Sequence, residues 1–444
     1  MVELHPWFSS PRLKGVKVSN LSTATDFKKN TSARAFRAWL VCLSAGLFFL
    51  YEFFQLNLFD VINVALRNEF KLDAAELSWL SSSYLWANVL FLLPAGFILD
   101  RFSVRHVILT AMFACLVGTL GFALSTAYAA AFFFHAIVGI GNAFCFLSCV
   151  VLVSRWFEPR KQAFVIGIIV TMAFIGGMMA HTPLAYLNSV YGWRHALLAD
   201  VALGVFIFVW LFLVIKDKPS LSKLDDTSKE TPHFLTVLFN RQNWLAGIFT
   251  ACLNLPIMIL CALWGAHYLG VVHHLSSLDA SNIVSMILLG SIFGCPLAGY
   301  VSDLIGRRKP LMLLGALATA LILLPLLLST GFSRISLAFL FFFLGFFSGV
   351  QVIGYPLIAE SNSKRNTGVA TSIASIIIMG GAGVGQIVFG LLMRYHAGIQ
   401  NAQYNATDFQ FALWLFPLAA FLAFLAALWT RETYCKEEGI YGTE

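Results

Sequence analysis

Charge is scarce in this chain. Asp, Glu, Lys and Arg make up only 11% of 444 residues, where a soluble domain carries about 25%. The rest is rich in apolar residues, 59% overall with 42 Phe, so the composition is that of an integral membrane protein. The first 36 residues are polar and basic and contain no apolar h-region, so no cleaved signal peptide is expected. Cysteine supplies no framework. Of eight Cys, seven (Cys42, Cys115, Cys145, Cys149, Cys252, Cys261, Cys295) sit inside apolar runs and Cys435 lies in the tail. Cys145 and Cys149 share a helix but have no partner pair to hold zinc. There is no His-Glu-x-x-His, no Gly-x-Ser-x-Gly and no paired intramembrane Asp, which argues against an intramembrane enzyme. No metal or cofactor is expected. The net charge of +7 lies in loops, which reads as topology and not as a nucleic-acid stripe.

Long apolar runs are what the chain does have. A hydrocarbon core of roughly 30 Å needs about 20 residues of helix. Runs of that length fall at 38–63, 77–99, 107–125, 129–153, 163–187, 196–215, 244–270, 281–301, 311–329, 335–358, 368–393 and 410–430. The longest internal polar stretch, 216–243, contains KDKPSLSKLDDTSKE and reads as a linker. The expected organisation is an arm at 1–37, a six-helix bundle at 38–215, the linker at 216–243, a second bundle at 244–430 and a tail at 431–444. Loop charge fixes the orientation. One side holds only Arg67, Lys71, Arg194, Arg334 and Arg394, and the other holds 24 of the 29 Lys and Arg. The excess marks the cytoplasmic side, so both termini are expected to be cytoplasmic in a cell (inner) membrane. On this count no Lys or Arg lies at membrane depth.

Two stretches repeat. GFILDRFSVRH (96–106) returns as GYVSDLIGRRK (299–309), at an offset of 203 residues. Each leaves an apolar run through a small residue, meets an Asp, then a basic cluster. Glu158 with Arg160 and Lys161 is matched by Glu360 with Lys364 and Arg365 at nearly the same offset. Self-similarity near half the chain length marks two structural copies, a common plan among transporters.

Ionisable groups at membrane depth are costly and so are functional candidates. Glu52 is the clearest. It lies about 21 Å into the first helix, with Ser44, Gln55 and Asn63 on its side, Tyr51 and Asp60 flanking, and Asn57 opposite. A carboxyl removed from water holds its proton more tightly, which suits proton coupling. The plainer reading is a protonated Glu hydrogen-bonded to a neighbouring helix. Asp60 is nearer the outer end, within reach of water. Asp200, early in helix six, is expected to have a structural or gating partner such as His181 or Arg194. Pro256 predicts a bend in helix seven, which aligns Asn254, Cys261 and Tyr268, with Trp264 at the edge and His267 elsewhere. Helix two offers Tyr84, helix four Asn142 and helix ten Gln351 and Tyr355. Taken singly, each is more often interhelical glue. As a set, Gln55, Tyr84, Asn142, Asn254, Trp264, Tyr268, Gln351 and Tyr355 make a candidate site for a small polar molecule. The glycines of MGGAGVG (379–385) permit close packing or bending of helix eleven.

The two loop motifs and the six-plus-six layout resemble the major facilitator superfamily over about 38–430. The family pattern is roughly Gly-x-x-x-Asp-Arg-x-Gly-Arg-Lys. The first copy matches at Gly96, Asp100, Arg101 and Arg105, with Ser103 in place of Gly. The second matches at Gly299, Asp303, Gly306, Arg307 and Arg308, with Leu304 in place of Arg. The resemblance implies an all-α membrane protein of twelve transmembrane helices in two pseudo-symmetric six-helix bundles. It also implies that these loops latch the cytoplasmic side of an outward-facing carrier. The expected pairs are Arg105 with Glu158, and Arg307 or Arg308 with Glu360, partly exposed and so weak.

SRWFEPRKQA (154–163) and YGWRHA (191–196) resemble organic-anion, sugar-phosphate and nitrate branches of that family. Those branches often carry Arg in helices one and seven, where this chain has Glu52 and Asn254. The departure argues against an anion. Gly176 and Gly177 lack the Gly-Pro that marks antiporters, which favours uptake. FLYEFFQLNLFD (49–60) is similar to nutrient carriers of intracellular bacteria. The expectation is a monomeric, proton-coupled carrier in the lipid bilayer. It would import a neutral, zwitterionic or cationic polar solute such as an amino acid or nucleoside. The alternatives are an exporter of drugs or organic cations, or a receptor on the same scaffold that no longer transports.

Overall fold

The computed structural model describes residues 21–157, 159–216, 234–329, 331–362, 367–398 and 404–435. Among them there is no strand. Twelve helices are long and apolar enough to cross a membrane: α1 (Ala35–Phe70), α2 (Ala74–Leu99), α3 (Val104–Leu124), α4 (Tyr128–Val153), α5 (Val165–Tyr191), α6 (Trp193–Val214), α7 (Arg241–His273), α8 (Ser277–Ile305), α9 (Lys309–Leu328), α10 (Arg334–Glu360), α11 (Ser372–Ala397) and α12 (Ala406–Trp429). All twelve expected runs are present.

The first six helices pack on one another, α1 against α4, α5 and α6, α2 against α4, and α3 against α4 and α6. The last six repeat the plan, α7 against α11 and α12, α8 against α10, and α9 against α10 and α12. Two long seams join the halves, α2 on α11 and α5 on α8, with α1 on α7 between them. Small residues set the seam spacing. A Cβ at Gly390 of α11 would come within 2.3 Å of Ser78 Oγ on α2. In the MGGAGVG stretch a Cβ at Gly385 would meet the Leu255 side chain at 2.4 Å, so this glycine serves close packing of α11 on α7.

The bundle has a linker end, where α6 leaves and α7 enters, and a far end, where α1 turns into α2. Helix α1 runs past its expected limit of residue 63 because no Pro interrupts it, and it stops where Lys71 turns left-handed (φ 55°). Asp73 then caps α2, accepting from the Glu76 N–H while Glu76 accepts from the Asp73 N–H. That reciprocal pair satisfies two otherwise orphaned donors.

Two helices carry irregular backbone. In α7, the α-helix Arg241–Pro256 gives way to a π-helix, Ile257–Trp264, and then to Gly265–His273. In α10, a 3-10 segment, Gly349–Ile353, precedes Pro356. Proline removes a backbone donor and disturbs the ladder beside it. Such breaks survive at membrane depth only where protein or a cavity covers them, and the whole π segment is buried.

Candidate functional site

Glu52 is fully enclosed inside the first half. Its Oε1 accepts from the Cys115 thiol of α3 at 2.6 Å and its Oε2 from the Tyr84 hydroxyl of α2 at 3.1 Å. Gln55, one turn on, donates to Asp200 of α6 at 2.5 Å. The Tyr84 ring stacks on His135. Glu52, Gln55 and Tyr84 thus turn into their own half. Asp200 takes neither of its expected partners. His181 instead lies 3.5 Å from Asp60. Arg194 pairs with Glu69 and donates to the carbonyls of Ala123 and Ser125 at 2.5 and 2.8 Å. The YGWRHA stretch is therefore a staple at the far end. Gly192 turns with φ 81°, Trp193 donates to Glu69 at 2.6 Å, and Arg194 ties α6 to α1 and α3.

In the second half the structure joins Asn254 and Gln351, whose amide donates to the Asn254 oxygen at 3.1 Å. Thr250 of α7 donates to the Gln351 carbonyl, fixing the 3-10 segment against α7. Tyr355 is half-buried beside them in sequence, and Asn142 is half-buried on α4. Trp264 and Tyr268 sit deeper, both fully buried, among Phe389, Tyr404 and Phe409. Tyr268 pairs with His273 at 3.3 Å. Between Asn254 and Tyr268 the π segment changes the rotation per residue from that of a straight helix.

The polar face of α1 divides along its length. Towards the far end its groups leave the first half and grip the second. Asp60 Oδ1 accepts from the Ala266 N–H at 2.8 Å, and Asn63 donates to the Leu263 carbonyl at 2.6 Å. Arg67 donates to His267 at 3.1 Å and lies over the Tyr404 ring at 4.4 Å. The Tyr404 hydroxyl accepts from the Ala74 N–H at 2.7 Å. Arg394 meets Asp73 at 3.3 Å and Thr182 donates to Asn282 at 2.5 Å. The far end is therefore closed by contacts between the halves. A cavity of about 290 Å³ remains there, its polar lining being Asp60, Asn188, His267 and Ser277.

Two expectations change here. Arg67 is no loop residue: it lies in the last turn of α1 and is only 7% exposed, so one cation does sit between the helices. Asp60 does not reach water; it is buried at the seam. His267, which was expected off the Tyr268 side of the helix, faces α1. The signal was in the sequence as a stripe, Asp60, Asn63 and Arg67, at one-turn spacing on one helix face.

A model of the Major Facilitator Superfamily matches residues 41–281 and 257–439. The chain belongs to the Major Facilitator Superfamily. It is a membrane transporter by family, and not an enzyme. Among its relatives is the probable galactarate/D-glucarate transporter GudP of Bacillus subtilis, 22% identical over 79% of this chain and 84% of GudP. Another is the membrane sensor protein UhpC of Salmonella typhimurium, 24% identical over 65% of this chain and 70% of UhpC. A solved bacterial homologue of the human lysosomal transporter Spinster, inward-facing and unoccupied, shares the fold. Its TM-score is 0.72 at 18% identity, covering 88% of this chain and 97% of that one.

The superfamily's paired loop motifs lie at the linker end. In the second copy Arg308 is the cation that pairs. It donates to Glu360 at 2.6 Å, to Asp303 at 2.6 Å and to Ser302 at 2.9 Å. Glu360 also accepts from Thr433 at 2.5 Å. Burial opposes the Arg308 charge, but the bonds to Glu360 and Asp303 outweigh it and hold the guanidinium above its ordinary range. The expected partly exposed, weak pair is instead nearly enclosed, with the Arg308 and Glu360 side chains 7% and 12% exposed. Arg307 lies over the Tyr434 ring at 5.9 Å. In the first copy Arg105 donates to the Phe212 carbonyl at 3.0 Å. Glu158 and the Asp100 side chain lie outside the described residues, so the Arg105–Glu158 pair does too. Arg101, in the last turn of the helix that carries α2, is exposed. At Gly96 and Gly299 an added Cβ would meet nothing within 4 Å.

Proposed function

We propose that this chain is a secondary active importer of a small polar solute, neutral or zwitterionic, driven by protons. The linker end is cytoplasmic, since it carries the excess of Lys and Arg. The far end, held by contacts between the halves, is then the outer gate. The observation that carries the solute class is the Asn254–Gln351 amide pair across two broken helices. Amides exchange hydrogen bonds with hydroxyls, amines and carbonyls, and bring no full charge to repel either sign. Proton coupling is read at Glu52, a carboxyl held at mid-depth by two hydrogen-bond donors. Asp60 beside His181 is a second buried carboxyl, placed where the halves meet.

An acidic sugar is the second reading. GudP carries galactarate or D-glucarate by name, and Arg67 supplies a buried cation at the seam. A transport-dead sensor is the third, supported by the likeness to UhpC.

Uptake into proteoliposomes under an imposed proton gradient separates the three. Labelled neutral amino acids, nucleosides and D-glucarate are the solutes. At least one neutral or zwitterionic solute is expected to accumulate. Gln351→Ala should raise its half-saturation concentration roughly tenfold, the order of one lost hydrogen bond. Accumulation of D-glucarate alone would favour the second reading, and binding without flux the third.

A further inference from the structure

Tyr84 and Cys115 each face two acceptors. The Tyr84 hydroxyl lies 3.1 Å from Glu52 Oε2 and 3.4 Å from the Glu52 main-chain carbonyl oxygen. The Cys115 thiol lies 2.6 Å from Glu52 Oε1 and 3.7 Å from the Val138 carbonyl oxygen of α4. A hydroxyl or thiol hydrogen turns about its C–O or C–S bond, so each donor can serve either acceptor with its heavy atom in place. An ionised Glu52 takes both hydrogens, one on each oxygen. A Glu52 protonated on Oε2 gives that hydrogen to the Tyr84 oxygen. The Tyr84 hydrogen then goes to the Glu52 carbonyl, and Cys115 stays on Oε1. With the proton on Oε1, it points to the sulfur, a weak acceptor, while the thiol goes to Val138 and Tyr84 stays on Oε2. None of these arrangements leaves a buried donor without an acceptor, which would be costly.

We infer that Tyr84 and Cys115 are positioning residues that let Glu52 gain or lose its proton without moving a heavy atom. The inference rests on the proton-coupled reading above and adds to it the residues that satisfy both states of the carboxyl. Glu52 and Cys115 are 0% exposed and Tyr84 is 1% exposed, so water does not replace a lost donor. The titratable groups around the carboxyl are Tyr84 of α2, Cys115 of α3, Cys145 of α4 and Asp200 of α6, with Tyr51 beside it on α1. None of these is a cation, and among the described residues no Lys, Arg or His pairs with Glu52. Helices α5 and α7, also packed on α1, bring no titratable side chain to it. Helix α4 lets both donors in. A Cβ at Gly139 would lie 2.1 Å from the Tyr84 carbonyl oxygen, and one at Gly141 would lie 2.1 Å from Cys115 Sγ. The His135 ring, stacked on Tyr84 at 5.5 Å, packs the phenol in place. Every heavy atom is thus fixed, and only hydrogens are free to turn.

Infrared spectra of the purified full chain in heavy water, taken across a pH series, test this without a solute. The band of the protonated Glu52 carboxyl is the one missing from Glu52→Gln. Tyr84→Phe keeps the ring and removes the hydroxyl. An ionised Glu52 then loses a charge-assisted bond, whereas a protonated one loses only a neutral bond. The pH at which the band is half lost should therefore rise by about one unit, or about tenfold in proton affinity. The acid O–H also loses its acceptor, so the band should move to higher wavenumber. Cys115→Ala should raise the midpoint in the same direction, by less, because a thiol is the weaker donor. Cys115→Ser keeps a donor and should stay within about threefold of the parent in proton affinity. A merely structural role for either residue would lower the melting temperature and leave the midpoint in place. An unchanged midpoint in folded Tyr84→Phe overturns the inference, as does a parent band that does not titrate, or an equal shift in Cys115→Ala and Cys115→Ser. Should Tyr84→Phe not fold, the contrast between the two Cys115 variants decides. The expected shifts in a chain without proton-driven uptake would count against the coupling reading and leave the roles of Tyr84 and Cys115 intact.

Discussion

The two halves hold their buried polar groups differently. In the first half, Glu52 and Asp200 are enclosed carboxyls that accept from Tyr84, Cys115 and Gln55, all from the same half. In the second, the polar groups at comparable depth are amides, Asn254 and Gln351, set on broken helices. Carboxyls in a low-dielectric interior trade in protons, and amides trade in hydrogen bonds with a solute. On the proposed function, the first half couples and the second selects.

The largest expected effect tests that division. Glu52→Gln keeps the volume and one of the two accepted bonds but removes the titrating group. Proton-driven accumulation should fall by tenfold or more while solute exchange without a gradient continues. Full accumulation in a flux assay would move the coupling role to the Asp60–His181 pair.

A second contrast is between the loop motifs. Arg308 is clamped by Glu360 and Asp303 under the tail residue Thr433. Removing one partner of an enclosed pair leaves the other charge uncompensated, at about 3–5 kcal/mol. Arg308→Ala should therefore lower the melting temperature markedly in detergent. An unchanged melting temperature would mean that Glu360 finds water or another donor.

The smallest effects distinguish Ser103 from Gly306, which hold equivalent positions. Gly306 ends α8 in the left-handed region at φ 69°. Ser103 is extended at φ −62° and caps α3 by accepting from the His106 N–H. The departure from the family pattern thus has a local reason, because the first copy needs a cap where the second needs a left-handed turn. Gly306→Ala should cost about 1–2 kcal/mol and Ser103→Ala about 1 kcal/mol. Ser103→Gly should cost only a few tenths. Denaturation of purified protein checks the order, and a larger loss for Ser103→Gly than for Gly306→Ala would reverse the reasoning.

Sequence by itself determined the twelve spans, the two-fold repeat, the break in α7 and the identity of Arg308 or its neighbour as the partner of Glu360. These follow from local rules: length against membrane thickness, the spacing of repeated motifs, and the missing donor of Pro256. It also placed Glu52 at mid-depth. What it did not decide is which way each polar side chain faces. A rotation of 100° per residue assumes a straight, regular helix. Helix α1 is long enough to pack against α6 at its middle and α7 at its far end, so one polar face serves two neighbours. The π turn changes the rotation per residue along α7, and His267 lies at the seam beside Arg67. Arg67 looked like a loop residue because the apolar run ends before the helix does. Only tertiary packing buried it, through Tyr404 and His267, which lie hundreds of residues away in the chain.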